Sequence, residues 1–305
     1  MKLELCCIGH ITLDKIVTPK STVHMPGGTS FYVSSAICGL KNIRYGLITA
    51  VGAPEMTVVE ELRAKGVQVV AYPSPHSVCF ENIYGEDQNH RRQRVQAKAH
   101  PFTLEQVREA EADIFHLGAL LADDFSPDVV KYLAGKGLVS VDSQGYLREV
   151  RDTQVYAIDW KEKRDVLKYV HFLKANEQEM EALTGYTDVA PAAGQLHAWG
   201  VREVLITLGD AGSVIYDGTS FFRIPAYKPR EVVDATGCGD TYMAGYLYQR
   251  ARGVGIEESG RFAAALSTLK IERSGPVQAT GEDVSRCMQF NEQSVPDIDL
   301  KPASV

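Results

Sequence analysis

Residues 232–245 read V-V-D-A-T-G-C-G-D-T-Y-M-A-G. Two glycines bracket a small residue, and a helical pattern follows. At a helix start the first four backbone N–H groups have no carbonyl one turn back. Gly237, Cys238 and Gly239 are therefore candidates to present amides to an anion. Asp240 falls in the first turn, where the helix dipole favours a carboxylate by about 0.3–1 kcal/mol. That effect accounts for Asp240 alone, but not for the two glycines or for a second acid at Asp234. If the amides hold a transferring phosphoryl group, Asp240 can accept the proton of an attacking hydroxyl. The dipole is expected to lower its pKa and make it a weak base. A loose phosphoryl transition state tolerates this, because the alcohol keeps its proton until late and positioning matters more than basicity.

Other segments have the chemistry to meet such a centre. Gly27-Gly28 opens a small-residue helical stretch and, by itself, is a turn and a helix start. Asn176-Glu177-Gln178-Glu179 has an N-cap residue followed three positions later by Glu, a capping-box pattern that needs no ligand. Thr207-Leu208-Gly209-Asp210-Ala211-Gly212 follows an apolar run and alone reads as a β-turn. Asp142-Ser143-Gln144-Gly145-Tyr146-Leu147-Arg148 sits at a strand end, where ligands of open α/β sheets gather, although Arg148 also suits a surface ion pair. His90-Arg91-Arg92-Gln93-Arg94 is a basic cluster, read either as a solvated arm or as a lid contact to an anionic or polyol substrate. His10, His116 and His171 flank strands and read as packed or hydrogen-bonded residues. Cys238 has no neighbouring histidine to activate it as a nucleophile.

Alternating strand and helix patterns must position these residues. Strands are predicted at 3–8, 44–49, 67–72, 114–117, 138–142, 171–174 and 204–207. Helices are predicted at 28–40, 55–65, 127–134, 161–169, 177–183 and 192–199. Such alternation implies a mostly parallel sheet covered on both faces. Two stretches break it, short β-like pieces over 14–25 and a hairpin over 78–97 with Asp87-Gln88-Asn89 near its turn. Together they predict a small sheet standing off the main one. The tail from Asn291 is polar and expected to be loose.

The chain has 305 residues, of which 45% are hydrophobic and 23% charged, enough for a sizeable core without disulfide or metal staples. A net charge of −7 argues against a nucleic-acid-coating surface. No uninterrupted apolar run is long enough to cross a membrane, and Glu4 interrupts what would be a signal peptide. The six cysteines are scattered, which predicts reduced thiols and a cytoplasmic protein. There is no G-x-x-x-x-G-K-[ST] loop and no complete G-x-G-x-x-G after a strand, which excludes a P-loop enzyme and weakens a dinucleotide dehydrogenase.

Residues 234–240 resemble the D-T-x-G-A-G-D signature of the PfkB (ribokinase-like) carbohydrate kinases, with Ala235 in place of Thr and Cys238 in place of Ala. The other motifs occur in the family's order along nearly the whole chain. The resemblance implies one three-layer α/β/α domain over 1–305, of ribokinase-like fold, with a mostly parallel sheet and a β lid from about 12–25 and 78–97. It implies an ATP-dependent phosphotransferase acting on a hydroxyl of a small sugar or polyol. Asp240 would be the base, and Gly237, Cys238 and Gly239 the anion hole. Asp14, Gly27 and Gly28 would bind the acceptor, and Asn176, Thr207, Gly209 and Gly212 the nucleotide. Glu179 would organise Mg2+, through its waters. Asp234 matches a position that helps to bind a monovalent cation in some relatives. Tyr32 stands where many family sugar kinases have Asn, four residues after the second glycine. Lids of this family sometimes make a dimer contact, so the resemblance allows a homodimer. A nucleoside kinase of the same fold and a catalytically silent ligand sensor are the alternatives.

Overall fold

The computed structural model describes residues 2–17, 19, 22–84 and 91–290. Strand β1 (Leu3–Gly9) shows how the fold is assembled. Leu5 and Cys7 point into one core and Cys6 and Ile8 into another, because successive side chains leave opposite faces of a strand. A strand apolar on both faces needs cover on both, the condition met by parallel sheets with crossover helices. The other strands, in chain order, are β2 (Thr12–Val17), β3 (Thr22–Gly27), β4 (Tyr45–Val51), β5 (Gln68–Pro73), β6 (Cys79–Tyr84), β7 (Arg91–Ala97), β8 (Ala112–Gly118), β9 (Leu138–Asp142), β10 (Arg148–Arg151), β11 (Gln154–Ala157), β12 (Phe172–Asn176), β13 (Glu203–Thr207), β14 (Ser213–Tyr216) and β15 (Phe221–Ile224).

Among the described residues the main sheet runs β15-β14-β13-β12-β9-β8-β1-β4-β5. From β13 to β5 the pairs are parallel, and β14 and β15 add an antiparallel edge. Helices Thr29–Gly39, Met56–Ala64, Cys238–Ala251 and Ile256–Ile271 cover one face. Helices Pro127–Ala134, Glu177–Thr184 and Val189–Ala198 cover the other. This is a three-layer α/β/α fold. The chain passes from β1 to β4 on one side and later places β8 on the other. At such a reversal ligands of open α/β sheets gather beyond the carboxyl ends of the strands, and Asp142, Asn176 and Thr207 end β9, β12 and β13.

A second sheet, β10-β11-β7-β6-β2-β3, stands beside the first. The segments predicted for it supply β2, β3, β6 and β7. The hairpin β10–β11, which extends it through pairing with β7, comes from a segment where no strand was predicted. Val78, Phe80, Val95, Ala99, Leu120 and Leu121 form its small core, with Val150 and Val155 packed on. The turn at 87–89, His90, the side chains of Arg91 and Arg92, residues 18, 20 and 21, and the tail from Asn291 lie outside the described residues. Among the described residues no helix is long and apolar enough to cross a membrane. All six cysteines are free thiols.

Candidate active site

Gly237 begins the site. Its backbone is left-handed, with φ 77°, a conformation that glycine adopts without strain. A Cβ there would also collide with the Tyr32 ring. The turn launches the helix Cys238–Ala251, whose first full-turn bond runs from the Thr241 N–H to the Gly237 carbonyl at 2.9 Å. Cys238 donates its N–H back to the Ala235 carbonyl at 3.2 Å. Of the expected trio of Gly237, Cys238 and Gly239 amides, that of Cys238 is engaged by the Ala235 carbonyl, and nothing among the described contacts removes Gly237 or Gly239 from the set. The amides of Gly239 and Asp240, second and third in the helix, precede its first full-turn bond and are candidate donors to an anion. The Cys238 thiol lies 3.9 Å from the Ser267 carbonyl, and burial raises its pKa, which suits packing rather than nucleophilic attack.

Next to this helix start lies a group that sequence reasoning missed. Lys174 on β12 is only 5% exposed. The sheet register sets it directly beside Asp142. Its Nζ donates to Asp142 Oδ2 at 3.0 Å and lies 3.7 Å from Glu179 Oε2. A Cβ on Gly239 would sit 3.1 Å from the same nitrogen, so the bare glycine lets the ammonium approach the first helical turn. Burial alone would depress the Lys174 pKa, but Asp142 and Glu179 outweigh it and hold the ammonium charged. A lysine inside an otherwise apolar strand was the signal available in the sequence.

Asp240 is partly buried in this cluster. Burial, reinforced by the charge of Asp142, pushes its pKa up to about 6, against the pull of Lys174, a Thr29 hydrogen bond and Arg148. The expected lowering by the helix dipole is overturned, because the loss of water around the carboxylate outweighs the dipole. Arg148 therefore acts on the site electrostatically. Asp142 also caps the helical turn Ser143–Tyr146, accepting from the Gln144 N–H at 3.0 Å.

Asn176 and Glu179 form a complete capping box at the start of the helix Glu177–Thr184. Asn176 Oδ1 accepts from the Glu179 N–H at 2.8 Å, and Glu179 Oε2 accepts from the Asn176 N–H at 2.9 Å. Asn176 Nδ2 donates to Glu179 Oε1 at 3.0 Å and Ser143 Oγ to Oε2 at 3.3 Å. With both oxygens so engaged and Lys174 close by, direct ligation of Mg2+ by Glu179 does not fit. Among the described residues no cluster of three or more His, Cys, Asp or Glu is arranged to hold a metal ion. If Mg2+ binds near this site, Glu179 would meet it through the ion's waters, since Oε1 carries only the Asn176 Nδ2 bond among those described.

The residues expected to bind an acceptor lie on β2 and β3, whose register pairs Thr12 with Gly27 and Asp14 with Met25. A Cβ on Gly27 would fall 2.5 Å from Asp14 Oδ2, so the carboxylate rests against a bare backbone. Gly28 has φ 83° and caps the helix Thr29–Gly39. Tyr32 on that helix is 3% exposed. Its ring packs against Gly237. Burial, with Asp234, Asp14 and Asp240 adding, raises its phenol pKa. Tyr32 thus lies near both Asp14 and the start of the helix Cys238–Ala251. Of the residues expected to meet a nucleotide, Thr207 pairs with Asn176 across β13 and β12. Gly209 (φ 61°) has open space where a Cβ would go, whereas at Gly212 (φ 89°) a Cβ would meet the Ile224 carbonyl. The Leu208 N–H closes the loop on the Gly212 carbonyl at 2.9 Å.

His10 is stacked 4.5 Å from Phe102, and His116 Nδ1 lies 3.0 Å from Ser140 Oγ, its pKa lowered to about 4 by burial. Both are packed residues, as expected.

The model of the pfkB family carbohydrate kinases matches residues 2–281. This chain belongs to that family. The PfkB kinase described here is 31% identical over 278 residues to a cytidine kinase of Thermococcus kodakarensis, covering 85% of this chain and 92% of that protein. It is 23% identical over 301 residues to a nucleoside kinase of Methanocaldococcus jannaschii, covering 89% of this chain and 91% of that protein. Among solved structures it matches a pyrophosphate-dependent kinase in the ribokinase family, complexed with a pyrophosphate analog and myo-inositol. That match has a TM-score of 0.81 and 27% identity, over 92% of this chain and 99% of the other. Arabidopsis thaliana ribokinase complexed with ribose and ATP has a TM-score of 0.77 at 22% identity, over 95% and 100% of the two chains. The PfkB chain has the ribokinase-like fold and is a kinase.

Proposed function

We propose that this PfkB kinase transfers the γ-phosphoryl group of ATP to a hydroxyl of a small sugar or polyol. The observation that carries the reading is the convergence of the Gly239 and Asp240 amides, the Lys174 ammonium and the Asp240 carboxylate at one helix start. In the proposed reaction Asp14 accepts hydrogen bonds from acceptor hydroxyls laid against the bare backbone of Gly27 and Gly28. The acceptor oxygen attacks the γ-phosphorus and the bond to the β–γ bridging oxygen breaks. Asp240 takes the hydroxyl proton, and ADP departs. The two amides and Lys174 stabilise the charge on the equatorial phosphoryl oxygens. Lys174 also keeps Asp240 more acidic than Asp142 and burial alone would leave it, so most of the base is ionised at neutral pH. The loop Thr207–Gly212, open at Gly209, receives the nucleotide. Mg2+ supplies further charge neutralisation on the phosphates when bound.

A β lid over the acceptor would exclude water and protect ATP from hydrolysis. A homodimer through that lid and a cytoplasmic location, consistent with six free thiols, complete the proposal. A nucleoside acceptor is the second reading, favoured by the similarity to the cytidine kinase. Similarity to the pyrophosphate-dependent kinase makes pyrophosphate the competing donor. Phosphorylated product should be followed with ATP or pyrophosphate against a panel of sugars, polyols and nucleosides. Turnover of a sugar or polyol with ATP supports the proposal. Turnover confined to nucleosides, or to pyrophosphate, replaces it with the corresponding alternative.

A further inference from the structure

Lys270 is a completely buried cation that the reaction above does not use. Its side chain is 0% exposed, on the last turn of the helix Ile256–Ile271. Nζ donates to the Asp234 carbonyl at 2.8 Å and to the Arg273 carbonyl at 3.2 Å, and lies 3.4 Å from Asp234 Oδ2. The face of the Tyr32 ring is 6.0 Å away. Carbonyl oxygens, a carboxylate and an aromatic face around one positive centre are also what a bound monovalent cation would require. The resemblance noted in the sequence puts such an ion at Asp234. The residues do not fit it. The Asp234 carbonyl and carboxylate already serve an ammonium, the local charge is already balanced, and a second cation at the same oxygens would be repelled.

The position matters to the site, because Asp234 lies three residues before the left-handed Gly237. The Val233 and Asp234 N–H groups both donate to the Ile271 carbonyl, at 2.9 and 3.2 Å. Asp234 Oδ1 accepts from the Thr236 N–H at 2.9 Å. Further along, Ser267 Oγ donates to the Cys238 carbonyl at 3.0 Å. The strap leading into the anion-binding helix is thus fastened to the end of helix Ile256–Ile271, with the Lys270 ammonium at the knot.

We propose that Lys270 is a tethered cation and a positioning residue. It fixes the 234–237 strap in place of a diffusible monovalent ion, so that this kinase needs none. The inference rests on the kinase reading of the same site. Initial rates of the wild type, with ATP as its Tris salt, should be the same in potassium, sodium, ammonium and tetramethylammonium chloride at equal ionic strength. Lys270→Ala should lose about tenfold or more in kcat through misplacement of the amides. Ammonium or potassium should restore it saturably, while tetramethylammonium, too large for the vacated space, should not. Lys270→Met, which refills that space without charge, should be slow and beyond rescue.

Thermal unfolding supplies a readout independent of turnover. Ammonium and potassium should raise the Tm of Lys270→Ala selectively, leaving the wild type and Lys270→Met unchanged. Activation of the wild type by potassium over tetramethylammonium overturns the inference, even if Lys270→Ala fails to fold. So does a folded Lys270→Ala with the wild-type kcat in tetramethylammonium, or one whose Tm no small cation raises. Absence of turnover by the wild type in every salt refutes the proposed acceptor and donor instead, and the thermal measurement still decides the cation.

Discussion

Asp240 should make this enzyme sharply pH-dependent on the acid side. The ordinary carboxyl value is 3.8, and the site raises Asp240 to about 6. At pH 5 about one-tenth of the molecules then carry an ionised base, and at pH 7 about nine-tenths, so kcat/KM should rise about tenfold between them. An Asp at its ordinary value would give an almost flat profile over the same interval. The stability consequence has the opposite sense. The folded pKa lies above the unfolded one, so unfolding releases a proton between about pH 4 and 6 and native stability falls as pH rises through that window. The difference between 3.8 and about 6 corresponds to at most about 3 kcal/mol, and to less because the carboxylate is partly open to solvent. Asp240→Asn should therefore lose about 10²–10⁴-fold in kcat while gaining thermal stability at pH 7. That gain should shrink as pH is lowered toward 4. The assays are a pH series of initial rates and of melting temperatures for both proteins. A flat wild-type profile between pH 5 and 7, or an Asn variant no more stable than wild type at pH 7, would refute the assigned electrostatics.

Other outcomes follow from neighbouring contacts. Lys174→Met removes the cation that restrains the Asp240 pKa, so the acid limb of the rate profile should move to higher pH. Loss of the buried Asp142 partner should also cost about 3–5 kcal/mol in denaturant unfolding. Gly237→Ala must place a Cβ against the Tyr32 ring at φ 77°, and should cut kcat and cost at least the ~1–2 kcal/mol of a left-handed residue; wild-type kinetics would remove the strap from the account. Asn176→Ala breaks the capping box and should cost about 1 kcal/mol of stability, with a raised KM for ATP if the same residue meets the nucleotide. An unchanged KM would leave Asn176 a purely structural cap.

The parts of the molecule that were legible beforehand are those with strong periodicity or a motif. The helix Pro127–Ala134 and strand β9 were predicted with the observed boundaries, and the capping box at Asn176 formed as its spacing required. The hairpin β10–β11 was not visible, for an identifiable reason. Its two-residue turn is Asp152-Thr153, both at positive φ, without the glycine that usually announces such a turn, and only Val150 and Val155 face a core. Of the candidate site, the glycine turn and helix start that place Asp240 in the first helical turn were legible from residue types. The role of Lys174 was not, because it depends on strand register: only the pairing of β12 with β9 sets its ammonium beside Asp142. The direction of the Asp240 pKa was misjudged for a related reason. A helix start can be read in one segment, whereas desolvation comes from segments converging in space.

In the proposed reaction the backbone amides of Gly239 and Asp240 receive the migrating phosphoryl group while the Asp240 carboxylate faces the attacking hydroxyl. A crystal structure of the ternary complex with the acceptor and a nonhydrolysable ATP analogue tests it most directly. Such a complex should show γ-phosphate oxygens within hydrogen-bond distance of those two amides and of Lys174, and an acceptor hydroxyl bonded to Asp240. A terminal phosphate bound elsewhere in the crevice, with Asp240 touching neither ligand, would contradict it.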